Sequence, residues 1–551
     1  MIIITKTRIP ALFFLCGLFF CACSRYTERI RAEVNKPTIP ILVQKPNNPA
    51  INVNLIRTFP GIYDIRAIDI SLAGTTDVAD ISSVAVFGSD GNGMPDMSKP
   101  LCDPLPAGRK LRFNGEIRVD RDTLSLWIAL TLKDKVNLDH RITVDCTGIE
   151  TSEGRLQLAQ PVKNPLRVGV AVRQQMQDGV HSSRIPGLAT TGKGTLLAIF
   201  DARYESKRDL QGHMDIGLHR SLDRGMSWEP MQIVLDMGEW GGLPQKFNGV
   251  SDACILVDDR SDAVYVAGLW MHGLLDDNGK WVEGLGEEKT EWKHQHQWKK
   301  KASQPGFGVK QTCQFLIAKS TDDGRTWSEP VNITRQTKCR EWWLFAPAPG
   351  HGITLGDGTL VFPSQGRDAE GQAFSNILWS RDSGKTWTAS EPAYYGVTEC
   401  MAAQLSDGTV MLNMRYGRNK GNREPNGRRV SVTSDLGRTW TEHPTSYNTL
   451  TEPTCMACLH RHDYTENGEK KSLLLFSNPN DHAVRDKITV KTSFDDGRTW
   501  PEQKWIQLDD YRGAGYSCMT SVDEQTIGIL YESSQAQMVY QQIKLAEILN
   551  R

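Results

Sequence analysis

The chain has 551 residues, with 64 Lys plus Arg against 65 Asp plus Glu and a formal net charge of −1 at neutral pH. One hydrophobic core rarely grows that large, so two domains are the expectation. Near-neutral charge without a sustained basic tract excludes nucleic acid as a natural partner, and an anionic ligand must be held by a local cluster of Arg.

Residues 1–23 read as an export signal. Lys6 and Arg8 precede the apolar run Ala11–Phe20, which is too short to span a bilayer as a mature helix. The run ends in Phe20-Cys-Ala-Cys23, which is similar to a bacterial lipoprotein cleavage site, with small Ala22 ahead of the Cys that would carry lipid. Cys23 is therefore the candidate lipidation site; an ordinary secretory signal cut nearby is the alternative. Nine cysteines follow, an odd number without framework spacing, so disulfides are not what holds the fold. Cys102 and Cys146 fall in one domain and could pair, and Cys455-Met-Ala-Cys458 has the spacing of half a zinc site without a second half. Buried free thiols are the plain reading of both pairs, and no metal is expected.

Residues 24–49 are polar and Pro-rich, the composition of a tether. In 50–165, short alternating runs such as Ile65–Leu72, Ser83–Phe87 and Leu124–Leu130, broken by Gly, Asp and Pro, predict an N-terminal β-sandwich, a spacer or a carbohydrate-binding module. The strand-rich remainder, 166–551, carries one eight-residue pattern five times, at 221–228, 320–327, 380–387, 433–440 and 493–500. Each copy runs Ser or Thr, any residue, Asp, any residue, Gly, two more residues, Trp. The Asp can accept turn N–H bonds, the Gly supplies a backbone conformation closed to other residues, and the Trp returns to an apolar interior. Start-to-start intervals of 99, 60, 53 and 60 residues suit one small antiparallel sheet per copy, and so a β-propeller. The long first interval holds a polar insertion, Gly279–Gln311, whose His294 and His296 lack the carboxylates a metal site would need. Late strands around 526–531 and 538–545 are expected to close the ring against the first blade.

The repeat is the Asp-box, and a chain with five of them resembles the sialidase (neuraminidase) family, in particular the exo-sialidases of gut Bacteroidetes. The resemblance covers 167–551 and implies a six-bladed propeller. It implies a retaining exo-α-sialidase that removes terminal sialic acids from glycoproteins, glycolipids and oligosaccharides without a cofactor, exported to the envelope of a Gram-negative bacterium. Sialylated glycans are then the partners, the membrane is met only through the N-terminal lipid, periplasmic or outer-membrane, and a monomer is expected.

The same resemblance assigns the site. Sialic acid carries a carboxylate on its anomeric carbon, and guanidinium grips carboxylate with paired bonds. Arg184 in Ser183-Arg-Ile-Pro-Gly187, Arg415 at the end of Leu405–Arg415, and Arg485 match the tri-arginyl cluster, with Arg203 a further binding arginine. That carboxylate repels an anionic nucleophile, and sialidases use a Tyr instead. Tyr516 in Gly513-Ala-Gly-Tyr516 matches the nucleophile, Glu399 the carboxylate that takes its proton, Asp209 the acid/base, and Glu532 the carboxylate that holds the first arginine. Two rivals share the fold: a trans-sialidase or intramolecular trans-sialidase, favoured by aromatic crowding such as Trp270 or Trp342 could give, and a lectin-like propeller, which would lack Tyr516, Glu399 or Asp209.

Overall fold

Alternation of β-branched and polar residues between Gly-rich turns gives an all-β molecule of antiparallel sheets. The computed structural model describes residues 29–89, 95–156, 158, 165–209, 212–241, 245–272, 303–309, 312–419 and 426–551. The export signal with Cys23, and His294 and His296 of the insertion, lie outside the described residues.

Toward the N-terminus two antiparallel sheets share a core. One contains Ile30–Asn35, Asn48–Arg57, Thr123–Leu132 and Ile81–Ser89; the other contains Gly154–Leu156, Asp145–Thr151, Tyr63–Ser71 and Lys110–Val119. Val53, Leu55, Val84 and Ile128 of the first are buried in one cluster with Ile68, Ile70, Phe113 and Ile149 of the second.

The expected tether at 24–49 is not free chain where it is described. Ile30–Asn35 pairs antiparallel with Asn52–Arg57, and Ile41–Val43 pairs in parallel with Val168–Val170. The Pro content suggested a linker, but the short run Ile39-Pro-Ile-Leu-Val43 supplies apolar side chains that become almost fully buried. Pro is tolerated beside such an edge pairing because no ladder hydrogen bond is asked of its nitrogen.

From Ser182 onward the strands form up-and-down units of four, and the first strands of neighbouring units pack on one another. The first is Ser182–Thr190, Leu196–Arg203, Met214–Ser221 and Gln232–Leu235. In the last, Ser517–Asp523, Thr526–Tyr531 and Met538–Lys544 are completed by Leu166–Arg173, so the end of the chain pairs with a strand from before the first unit. Each Asp-box is the peripheral turn between third and fourth strands. In the second copy Ser320 Oγ lies 2.8 Å from Asp322 Oδ1 and accepts the Gly324 N–H at 3.0 Å, while Thr326 donates its N–H and hydroxyl to Asp322 at 2.9 and 2.6 Å. Positive φ falls on the Gly and on the residue before it in all five, as at Asp323 (69°) and Gly324 (74°). The Trp is fully buried in two copies, Trp387 and Trp500, and partly buried in the others. The last unit has no box for a covalent reason: its third and fourth strands are not consecutive in sequence, so no turn joins them.

Candidate active site

The expected site residues sit where the first strands of the units begin, or at the ends of their second strands. Three first strands carry a β-bulge there: between Arg184 and Gly187, between Ser251 and Cys254, and between Val397 and Cys400. A bulge turns a side chain out of the pleat, and these three present Arg184, Asp252 and Glu399. The first is strained: Ile185, a β-branched residue, has φ of 63°, a conformation that costs on the order of 1–3 kcal/mol.

Glu532, 1% exposed, holds that bulge in place. Its Oε1 accepts Arg184 Nε at 2.5 Å and the Ile185 N–H at 2.9 Å, and its Oε2 accepts the Tyr516 N–H at 2.9 Å. The carboxylate thus fixes the first arginine, as the sequence reading has it, and also the backbone of the tyrosine. Gly513 and Gly515 make the approach possible. A Cβ on Gly513 would lie 2.4 Å from the Glu532 carbonyl oxygen, and Gly515, at φ 94°, would carry a Cβ 3.0 Å from the Arg485 Cβ.

Tyr516 is 5% exposed, and its hydroxyl donates a short hydrogen bond to Glu399 Oε1. Arg415 Nη1 bonds the other Glu399 oxygen and reaches the phenol oxygen at 3.0 Å. The Arg184 and Arg485 guanidinium groups lie 5.6 and 5.5 Å from the ring centroid. Burial, reinforced by the Glu399 charge, pushes the phenol well above its ordinary value, while Arg415 and Arg485 pull it back. The resting phenol is therefore protonated, and Glu399 is placed to take the proton. Arg485 is held by the carbonyls of Ala514 and Thr454 at 2.9 and 3.3 Å, with no carboxylate at ion-pair distance among the described residues. Three guanidinium groups meet two carboxylates here, which leaves one positive charge for an anion.

Arg203 and Asp209 form a second group beside the first. Arg203 is fully buried and bonds Asp201 at 2.8 Å, and its Nη1 bonds Asp209 at 2.6 Å. The Asp209 side chain is 67% exposed. Burial pushes its carboxyl up, but Arg203, Arg184 and Arg485 together outweigh that and hold it below the ordinary carboxylate range.

The structure adds Asp201 and Asp252, which no motif marks. Asp201 anchors Arg203 and accepts the Ser251 hydroxyl at 2.6 Å and the Asp252 N–H at 3.2 Å. Asp252 sits at φ 53°, with its carboxyl driven well up by burial and by the charges of Glu399, Asp201 and Asp209. Asp252 is turned in by the bulge of its own first strand, whereas Asp201 lies on a second strand opposite Arg184, and both placements are visible only once the pairing register is known. Trp270 is fully buried in a core cluster and Trp342 packs on Phe345 and Phe374, so neither aromatic is assigned to this site. Cys102 and Cys146 are free thiols, as are the other seven described cysteines.

Residues 185–532 match the BNR repeat-like domain family, and residues 29–101 match the N-terminal domain of BNR-repeat neuraminidase. A sialidase of Bacteroides fragilis is 37% identical over 96% of this chain and 98% of its own length. The solved structure of the Hadza microbial sialidase Hz136 superposes with a TM-score of 0.82 at 33% identity, covering 93% of this chain and 99% of that one. The intramolecular trans-sialidase from Ruminococcus gnavus, at 17% identity and a TM-score of 0.53 over 68% of this chain and 97% of that one, shares the fold alone.

Proposed function

The chain belongs to the BNR-repeat neuraminidase family and is an exo-α-sialidase, a glycoside hydrolase, and from that premise we propose that it works with retention of configuration through a covalent bond between Tyr516 and the anomeric carbon. The observation that carries this reading is the buried Tyr516–Glu399–Arg415 contact. A phenol held neutral can approach a carbon that bears a carboxylate, and Glu399 removes its proton as the bond forms. Arg184, Arg415 and Arg485 receive the substrate carboxylate, with Arg485 contributing the charge that no carboxylate among the described residues pairs. Asp209, beside Arg203, protonates the leaving oxygen and then activates water. The four-stranded units are, in the same proposal, blades of a six-bladed propeller closed by Leu166–Arg173, which brings their bulges to one centre.

The test is chemical trapping with product analysis. A fluorinated sialosyl donor should leave an adduct on the peptide containing Tyr516, and NMR of a sialoside digest should show the α-anomer of free sialic acid first. Tyr516→Phe should keep the fold and sialoside binding but lose most turnover. β-Anomer first, or an adduct elsewhere, would overturn the mechanism; a sialylated or anhydro product in place of the free sugar would make the enzyme a trans-sialidase or an intramolecular one.

A further inference from the structure

We propose that His351 Nε2 and the Sγ atoms of Cys458 and Cys518 form a site for one zinc ion, at the other end of the first strands from Tyr516. The strands themselves separate the two places. Arg184, Glu399 and Tyr516 stand at or before their beginnings, whereas Leu188, Ala403, His460 and Thr520, further along them, line a cavity of about 580 Å³ together with His351. The Cys-x-x-Cys pair divides between the two: Cys455 feels the charges of Arg485 and Arg415, and Cys458 joins Cys518 and His351.

Three observations point to a cation. The three donor atoms all lie within 4.8 Å of one another, and all three residues are buried. His351 bonds the Gly352 carbonyl through Nδ1 at 3.0 Å, which requires the proton there and leaves Nε2 with a lone pair; that atom is buried without a hydrogen-bond partner. Each sulfur already accepts a backbone N–H, Cys458 from Met519 and Cys518 from Leu188, both at 3.2 Å, the kind of bond that supports a ligating thiolate. A cation between the donors sits no farther than about 2.8 Å from any of them, and contraction by roughly half an ångström reaches zinc–nitrogen and zinc–sulfur lengths.

The donor set selects the ion. Thiolate and imidazole without oxygen ligands exclude calcium and magnesium. Zinc(II) displaces one proton from each thiol, so two positive charges replace two and the buried site stays neutral overall; copper(I) would leave a net negative charge in the interior. Of the three ligands, His351 lines the cavity, which therefore reaches the site from the imidazole side. The ion would tie Gly350–His351, Cys458–Glu466 and Ser517–Asp523, strands of three different units, and the last of these begins next to Tyr516.

Full-length protein stripped with a chelator and titrated with zinc should retain one equivalent through gel filtration, and its thermal transition should rise. With cobalt(II) it should show thiolate-to-metal charge-transfer absorption. Cys458→Ser with Cys518→Ser should abolish both. His351→Gln should weaken zinc by more than the roughly 10–100-fold that loss of a supporting residue costs, while its sialidase turnover shows that it is folded. His213→Ala, in the separate, partly exposed group of His213, Asp215 and Asp236, should leave zinc retention unchanged. Failure of the wild type to retain zinc, a cobalt complex without the thiolate band, an equivalent lost in His213→Ala and kept in His351→Gln, or a Cys458–Cys518 disulfide in protein purified without reductant would each overturn the site.

Discussion

A carboxylate pinned by guanidinium is a poor acid, and Asp209 is pinned by Arg203 while Arg184 and Arg485 add to the pull. The substrate brings the remedy. In the proposed complex its carboxylate would offset the charge of the arginines and its body would exclude water from an exposed side chain, so both changes would raise the Asp209 pKa. The alkaline limb of kcat/KM reports the free enzyme and that of kcat the complex. For a natural sialyl-galactose, whose departure needs a proton, the kcat limb should therefore lie at higher pH than the kcat/KM limb. Asp209→Ala should remove this difference and slow an activated aryl sialoside less than the natural substrate. Coincident limbs in the wild type would show that Asp209 is not the acid. Tyr516 and Arg184 can be singled out in the sequence because a short local motif surrounds each. Asp201 and Asp252 cannot, because their placement follows from a bulge and a cross-strand register, which a linear reading does not contain.

The Asp-box turn is legible in the sequence because the bonds that close it are local: Ser320, Asp322, Gly324 and Thr326 bond one another within one box. The boxes are peripheral, and their work is to hold the turn. Asp322, Asp382 and Asp435 are drawn down to about 2 by the bonds they accept, for Asp382 chiefly from the Thr386 hydroxyl and N–H. A carboxyl depressed in this way contributes stability above its unfolded pKa of about 3.9, and the contribution is lost as pH falls through the folded value. Asp382→Ala should destabilise by roughly 0.5–1.5 kcal/mol near neutral pH in denaturant titrations, because water can replace the lost bonds at this exposed turn, with kcat/KM little changed. The gap between variant and wild type should narrow as pH is lowered from about 4 toward 2. A gap that widens on acidification would contradict this account of the box. The Pro-rich segment at 24–49 shows the opposite limit. Composition marks a tether, but the burial of Ile41–Val43 depends on a partner strand more than 120 residues away, Val168–Val170, and no local signal announces it.

At the scale of the whole molecule, that correction changes what an N-terminal lipid would do. The first described strand begins at Ile30, and the segment that follows it binds the loop that leads to Tyr516: Thr38 and Asp510 exchange hydrogen bonds, the Thr38 N–H reaching the Asp510 carboxylate at 2.5 Å and the Asp510 N–H reaching the Thr38 carbonyl at 2.7 Å. Tyr511 packs against the cluster of Phe87 and Trp127 on the first sheet. If Cys23 carries the lipid, only residues 24–29 separate it from the first strand, a reach of about 20 Å even when fully extended. The enzyme would then be held close to the membrane surface rather than swung on a long arm, and one lipidated residue would decide its location. Cys23→Ala should move active sialidase from the membrane fraction to the soluble one, with kcat/KM on a small sialoside unchanged. Wild-type protein that is already soluble and begins downstream of residue 23 would refute the anchor and return the leader to an ordinary secretory signal, without touching the pairing of Ile30–Asn35 or the site it helps to support.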